Sequence, residues 1–239
     1  MNVVLLHGFG ENASIWDDFI PLLNPKIKYF TPDFSKKKDC FSIPEYAEWL
    51  HKEFDKNGIK EAVVIGHSMG GYIAIEACHQ FPDKITGLGM FHSTAAADSE
   101  EKKDARDKTI QFLIKHDTEM FIRHFYPNMF SEAYKSAHKE LINGNIKLFS
   151  NIPNEALLAA TIAMKGRRNH FDTLQSLTIP VFQIIGVFDT FVTYQDALTQ
   201  SVLPKKPNVL LLDDVAHAGM LESPKMCADF INNFLEKIA

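Results

Sequence analysis

The fold is decided by the stretch Val63-Val64-Ile65-Gly66-His67-Ser68-Met69-Gly70-Gly71. A short apolar run, typical of a buried strand, enters the pattern Gly-X-Ser-X-Gly, and a helical pattern follows at once. Small residues two positions before and after the serine permit a very tight turn. We therefore expect Ser68 to stand at the carboxyl end of a strand and at the start of a helix, where developing negative charge is favoured.

Further apolar runs predict that this strand belongs to a sheet. The clear runs are 3–6, 62–65, 88–91, 181–185 and 209–212, and a weaker one at 27–31 ends at Pro32. The clear runs do not alternate polar with apolar residues, which is typical of strands covered on both faces in a parallel sheet.

Helical patterns lie between the predicted strands, at 44–57, 70–81 and 224–238. Strands that alternate with helices predict an α/β fold with a doubly wound parallel sheet. From residue 95 to 166 the chain has helical stretches and no convincing strand. We interpret 95–166 as a helical lid inserted in a core domain formed by 1–94 and 167–239. The lid helices are predicted at 100–115, 118–126, 131–143 and 154–165.

The composition excludes several classes of function. The chain has 239 residues and a formal net charge of -5, without the concentrated basic face that nucleic-acid binding needs. Its three cysteines are widely spaced, which argues against a disulfide framework and a cysteine-built zinc site. No signal-peptide pattern is present, and no run reaches the roughly 20 apolar residues that span a bilayer. We expect a cytoplasmic protein without a nucleic-acid or membrane partner.

Two motifs resemble those of the α/β-hydrolases. Gly66-His67-Ser68-Met69-Gly70-Gly71 resembles the nucleophile elbow of that family, and His7-Gly8-Phe9-Gly10 resembles its oxyanion loop. The resemblance extends over nearly the whole chain and implies the same fold. The first two strands that are usual in the family have no counterpart. About six parallel strands are therefore expected, with the strand at 27–31 at an edge of the sheet.

The resemblance also implies a catalytic triad in the chain order serine, acid, histidine. A serine hydroxyl is a poor nucleophile at neutral pH, so Ser68 needs a base whose tautomer is held by a third group. His217 follows the last predicted strand, and we expect it to be that base. Asp189 follows another buried strand at the family's acid position, and we expect it to orient the base. Asp213 and Asp214 remain alternatives for the acid.

Two backbone N–H groups are expected to form the oxyanion hole, those of Phe9 and Met69. His67 is interpreted as part of the elbow, with its side chain directed away from Ser68. Neither a metal nor an organic cofactor is required for this chemistry.

The implied function is hydrolysis of a carboxylic ester, or a related acyl bond, of a small and largely apolar molecule through an acyl-enzyme intermediate. The lid contains a group of large apolar residues that either line the pocket or pack the core: Met120, Phe121, Phe125, Tyr126, Met129 and Phe130. Arg167 and Arg168 are expected to brace the lid, with carboxylate binding as the alternative.

Several alternative functions use the same triad. Lactonase, thioesterase, C–C hydrolase and perhydrolase activity all remain open, as does a sensor that hydrolyses its ligand slowly and docks a partner protein. The sequence leaves the physiological substrate and the oligomeric state open.

Overall fold

A six-stranded sheet runs through the centre of the computed structural model, which describes residues 1–238. The strands are β1 (Asn2–Leu6), β2 (Lys28–Phe30), β3 (Ala62–His67), β4 (Ile85–Phe91), β5 (Val181–Gly186) and β6 (Pro207–Leu212). All neighbouring pairs are parallel, in the order β2-β1-β3-β4-β5-β6. The predicted doubly wound parallel sheet is confirmed, and the weak strand at 27–31 is the edge strand β2.

Helices connect the strands and flank the sheet. They are α1 (Ile43–Lys56), α2 (Met69–Gln80), α3 (Glu100–Lys115), α4 (Thr118–Phe125), α5 (Glu132–Ala137), α6 (Lys139–Phe149), α7 (Asn154–Lys165), α8 (Phe171–Ser176), α9 (Tyr194–Ser201), α10 (Gly219–Glu222) and α11 (Pro224–Ile238). Short 3-10 helices lie at Ala13–Trp16, Ile20–Leu22, Pro82–Lys84 and Tyr126–Met129. Within residues 1–238, no helix combines the length and the apolar character needed to cross a membrane.

The expectation that every clear strand is covered on both faces is wrong for β6. Val209 is 40% exposed and Leu211 is 38% exposed, whereas Leu212 is buried. The cause is position, since β6 is the second edge strand of the sheet and only one of its faces is packed. The other five strands are consistent with a buried sheet or, for β2, with an edge.

The helix predicted at 131–143 is also wrong in its extent. The structure has two helices there, α5 and α6, and the second continues to Phe149. The break is at His138, whose backbone has φ −124° and ψ 36° and whose ring stacks on Tyr134 at 3.9 Å between centroids. Neither a glycine nor a proline marks the break, so the sequence carried no stop signal there.

Three glycines explain why the chain can turn so sharply after β3. A Cβ on Gly66 would lie 2.2 Å from the backbone of Gly70, and a Cβ on Gly70 would lie 2.5 Å from the carbonyl oxygen of Leu6. A Cβ on Gly71 would lie 2.2 Å from Oγ of Ser93. The absence of side chains therefore lets α2 start directly against β1 and β3, which fixes where Ser68 stands.

Five helices, α3 to α7, lie between β4 and β5 in the region predicted as a lid. Arg167 ties the end of this region to its start, because its Nε donates to the carbonyl oxygen of Ala96, between β4 and α3, at 2.9 Å. Arg168 donates from Nη2 to Oε1 of Glu76 on α2 at 3.0 Å. These contacts agree with a bracing role for both arginines, while the division of the chain at residues 95 and 166 stays a prediction.

Candidate active site

Ser68 occupies a strained turn between β3 and α2. Its backbone has φ 49° and ψ −115°, a conformation that residues with a side chain rarely adopt. Ser68 N donates to the carbonyl oxygen of Phe91 at 3.0 Å, and Oγ of Ser93 donates to the carbonyl oxygen of Ser68 at 2.7 Å. These two bonds from the β4 side hold the turn, and Ser68 is half-buried.

Asp189 and His217 are joined by a buried hydrogen bond. Nδ1 of His217 donates to Oδ2 of Asp189 at 2.7 Å. Oδ1 of Asp189 accepts from the backbone N–H groups of Phe191 and Val192 at 2.8 and 2.9 Å. The carboxylate is therefore held on one side by its own loop and faces the imidazole with the other, which leaves Nε2 of His217 as the proton-accepting nitrogen.

The other two aspartates considered for this role do not contact His217. Asp213 and Asp214 are exposed at the end of β6, on the turn that precedes the histidine loop. A carboxylate immediately before the loop would have to fold back on it, whereas Asp189 approaches from the end of the neighbouring strand β5.

Ser68 and His217 line the same cavity, but no hydrogen bond joins the hydroxyl to the imidazole. In substrate-free enzymes such bonds are often long and form only when the substrate is in place. The structure thus brings the expected nucleophile and the Asp189–His217 pair to one cavity.

Two backbone N–H groups beside the serine are free to donate hydrogen bonds to an anion. Neither Phe9 N nor Met69 N donates to an acceptor within residues 1–238. Met69 is the first residue of α2, so its N–H lies at the helix end where no intrahelical acceptor exists. Phe9 lies in the loop after β1 and lines the cavity with Ser68.

The cavity has a volume of about 280 Å³ and is mostly apolar. Its apolar lining comprises Phe9, Tyr72, Phe121, Phe125, Met129, Met164 and Phe191. Of the lid residues singled out in the sequence, Phe121, Phe125 and Met129 line it. Tyr126 and Phe130 are buried elsewhere in the core, and Met120 is 42% exposed. The lid residues therefore divide between pocket lining and core packing.

Two cationic side chains on α3, Lys102 and Arg106, border the same cavity. Arg106 contacts Asp98 through Nε at 3.2 Å, and Arg167 contacts the same carboxylate through Nη1 at 2.6 Å. Two guanidinium groups thus share one carboxylate, and Nζ of Lys102 lies 3.7 Å from Oδ2 of Asp196, so three cationic side chains face two carboxylates near this end of the cavity.

His92 was not singled out from the sequence, although it follows β4 at the same edge of the sheet. Its backbone is left-handed, with φ 45°. Nε2 accepts from Gly219 N–H at 3.1 Å, so the proton of the neutral ring is on Nδ1, which lies 3.7 Å from Oδ2 of Asp189. Burial and the neighbouring His217 and His67 hold the pKa of His92 well below its usual value. A neutral donor therefore lies beside the buried carboxylate.

No group of three or more His, Cys, Asp or Glu side chains in residues 1–238 is arranged to hold a metal ion. The Ser68 hydroxyl, the His217 imidazole, the Asp189 carboxylate and the two backbone N–H groups described above suit acyl transfer.

The comparison with known families agrees with this geometry. A family described as the alpha/beta hydrolase fold matches residues 2–224. The chain belongs to the α/β-hydrolase family. The predicted family membership is confirmed by this match, which covers Ser68 in the elbow and the loops that carry Asp189 and His217.

Individual relatives of this α/β-hydrolase are distant and cover 80% or more of it. The pimeloyl-[acyl-carrier protein] methyl ester esterase of Wigglesworthia glossinidia brevipalpis is 24% identical, over 99% of this chain and 94% of the relative. A 2-hydroxy-6-oxononadienedioate/2-hydroxy-6-oxononatrienedioate hydrolase of a Pseudomonas species is 28% identical, over 80% of this chain and 72% of the relative. The structure of a thermophilic esterase from Thermogutta terrifontis superposes with a TM-score of 0.92 at 22% identity, covering 100% of this chain and 90% of that chain.

Proposed function

We propose that this α/β-hydrolase cleaves a carboxylic ester of a small, largely apolar molecule, with Ser68 as nucleophile, His217 as general base and Asp189 as the acid that orients the base. One observation carries the proposal. His217, hydrogen-bonded to the buried Asp189 at 2.7 Å, lines the same cavity as Ser68 on its strained turn. The methyl ester esterase among the relatives supports the same bond type.

The reaction proceeds in two acyl-transfer steps. Nε2 of His217 takes the proton of Ser68 as Oγ bonds to the ester carbonyl carbon, and the resulting oxyanion accepts from Phe9 N–H and Met69 N–H. The bond to the alcohol oxygen then breaks, and His217 returns the proton to the leaving alcohol. Water, deprotonated by His217, attacks the acyl-enzyme, and the acid leaves as Ser68 regains its proton.

The cavity argues for the kind of ester that it admits. Its volume of about 280 Å³ fits a short acyl or alcohol group, and its lining of phenylalanine and methionine side chains favours an apolar one. Lys102 and Arg106 border the same space, so a substrate whose far end is polar or negatively charged would meet a complementary charge.

A fluorophosphonate probe followed by peptide mapping tests the proposal. We expect the label on Ser68, no label on the Ser68→Ala variant, and normal labelling of Ser136→Ala, which alters an exposed serine on α5. Ser68→Ala should lower turnover of short nitrophenyl esters by about 10⁶. A label on another residue, or substantial turnover by pure Ser68→Ala protein, would refute the assignment.

The same assay separates an enzyme from a slow sensor. Repeated turnover of a nitrophenyl ester, with product far in excess of protein, supports the enzyme. A single burst that stops at one product per protein chain, with a stable adduct on Ser68, would favour the sensor.

A further inference from the structure

A buried acid–histidine pair lies beneath the loop that carries the proposed base. The side chains of Glu11 and His67 are both 0% exposed, and Nδ1 of His67 lies 2.9 Å from Oε2 of Glu11. Nε2 of His67 lies 2.8 Å from the carbonyl oxygen of His217. A side chain of the elbow strand thus connects the oxyanion loop to the backbone of the base.

The partners of His67 determine its protonation. A carbonyl oxygen only accepts, so Nε2 of His67 must donate to His217. Oε2 of Glu11 already accepts from Gly8 N–H at 2.8 Å, and a carboxylate oxygen that accepts there is suited to accept from Nδ1 as well. Both ring nitrogens then donate, which makes His67 an imidazolium and Glu11 a carboxylate.

The electrostatics of the pair agree with this reading. Burial by itself would lower the pKa of His67, but the charge and hydrogen bond of Glu11 and the acceptor at His217 outweigh it and raise the pKa. Burial by itself would raise the pKa of Glu11, and the charge and hydrogen bond of His67, with the Gly8 N–H, lower it instead.

The loop of the base is held from several sides. His217 N donates to the carbonyl oxygen of Met129 at 2.9 Å, and Oε1 of Glu222 accepts from Ala216 N–H at 3.0 Å. Among residues 1–238, only His67, which Glu11 holds on its other side, hydrogen-bonds to the carbonyl oxygen of His217. The rings of His67 and His217 are 5.0 Å apart between centroids, so the hydrogen bond fixes the backbone from which the imidazole projects, right beside that ring.

We propose that Glu11 and His67 are positioning residues for the reaction: charged His67 holds the carbonyl of His217, and Glu11 keeps His67 charged. This inference rests on the proposed function, because it assigns His217 as the base. The pair touches neither substrate nor reacting atoms, and it acts by fixing the direction of the imidazole toward Ser68.

A glutamine at position 11 cannot reproduce this arrangement. A neutral His67 has one ring N–H. If that proton stays on Nδ1 to meet the amide oxygen, the lone pair of Nε2 faces the carbonyl of His217. If the amide nitrogen takes the place of Oε2, two donors face each other and Gly8 N–H loses its acceptor. The first orientation loses the hydrogen bond to the carbonyl of His217, and the second loses the hydrogen bond of Gly8 N–H in the loop that carries Phe9, so the effect of Glu11→Gln reaches the active site in both cases.

A matched control exists elsewhere in the chain. Glu76 on α2 is buried like Glu11, and its Oε2 lies 2.8 Å from Nε2 of His170. Glu76→Gln removes a buried acid–histidine contact of the same kind at a place that does not contact the His217 loop. Both variants should lose stability, and only Glu11→Gln should lose catalysis.

The experiment measures kcat, KM and the unfolding free energy of wild type, Glu11→Gln and Glu76→Gln. We expect Glu11→Gln to lower kcat by about 10- to 100-fold with KM changed less than about twofold, because a misdirected base costs rate and leaves the apolar pocket intact. Glu76→Gln should keep the wild-type kcat. Wild-type kcat in folded Glu11→Gln, or an equal loss of kcat in both variants, would overturn the proposal.

Nitrogen-15 NMR of the histidine rings gives a second measurement that needs no stable variant. We expect both ring nitrogens of His67 in the wild-type protein to carry protons at pH 7. A single protonated ring nitrogen there would overturn the proposal. The proposed function is judged separately, because the fluorophosphonate label on Ser68 does not depend on how His67 is protonated.

Discussion

The hydrogen bonds of Asp189 make its replacement by asparagine a demanding test of the site. Oδ1 accepts from two backbone N–H groups, those of Phe191 and Val192, whereas Oδ2 accepts from Nδ1 of His217. In Asp189→Asn the amide oxygen must take the place of Oδ1, since the amide nitrogen there would oppose both N–H groups. The amide nitrogen then donates to Nδ1 of His217 and forces its proton onto Nε2, so the base can no longer accept a proton from Ser68.

The magnitude follows from the cost of turning the amide around. Two buried N–H groups left without an acceptor cost about 1–3 kcal/mol each, so the catalytically useful orientation is disfavoured by about 2–6 kcal/mol. That range is about 30- to 3 × 10⁴-fold in population. The loss of the carboxylate charge, which stabilises the imidazolium in the transition state, adds to it, and the same substitution in a serine protease lowers kcat by about 10⁴. We expect a loss of about 10³–10⁴ in kcat here.

The assay is steady-state hydrolysis of a short nitrophenyl ester at pH 7 to 8, with the folded fraction checked by urea unfolding. Asp213→Asn is the matched control, because Asp213 is exposed one residue beyond β6. It should retain wild-type kcat. A loss below about tenfold in folded Asp189→Asn would refute the assignment of Asp189 and the hydrogen-bond reasoning with it.

Three further predictions address the elbow, the buried histidine and the cavity. Gly66→Ala should abolish soluble folding, because its Cβ would lie 2.2 Å from the Gly70 backbone, and soluble expression tests this. Gly144→Ala has open space around its Cβ within α6 and should raise the unfolding free energy by up to about 1 kcal/mol, which urea unfolding measures. The folded state holds the pKa of His92 below its unfolded value, so neutral His92 stabilises the fold above about pH 6.5, and the unfolding free energy falls below that pH by up to about 1.4 kcal/mol per pH unit. Urea unfolding from pH 7.5 to 5.5 should show that the unfolding free energy of His92→Gln depends less steeply on pH than that of wild type, and equal pH dependence would contradict the prediction. Arg106→Met should lower kcat/KM for an ester with a carboxylate at its far end by about tenfold more than for the neutral ester of equal length, and an unchanged ratio would show that Arg106 serves only Asp98.

The parts of the site that could be predicted from sequence are those that depend on residues close together in the chain. Ser68 is identified by neighbours within two positions, because glycines and an adjoining apolar strand are what the tight turn requires. His217 and Asp189 were placed by their positions after buried strands, since parallel strands bring their carboxyl ends to one edge. The structure joins these two side chains, and their catalytic roles stay predictions until tested.

The parts that could not be predicted depend on residues far apart in the chain. Glu11 and His67 are 56 positions apart, and nothing in either local pattern indicates that they meet. His92 carried no motif, and its importance comes from the strand order, which sets β4 beside β5. Likewise the break at His138 lacks a helix-stop residue.

By itself, the sequence determined the α/β class, the parallel sheet and the serine turn, because hydrophobic periodicity and glycine spacing act over a few residues, while the edge position of β2 was implied by the resemblance to the α/β-hydrolases. Only the tertiary structure decided that β6 leaves one face open, that Asp189 and not its rivals meets His217, and that a charged His67 supports the histidine loop. Those outcomes depend on which side chains share a buried volume, and burial in turn sets protonation and hydrogen bonding.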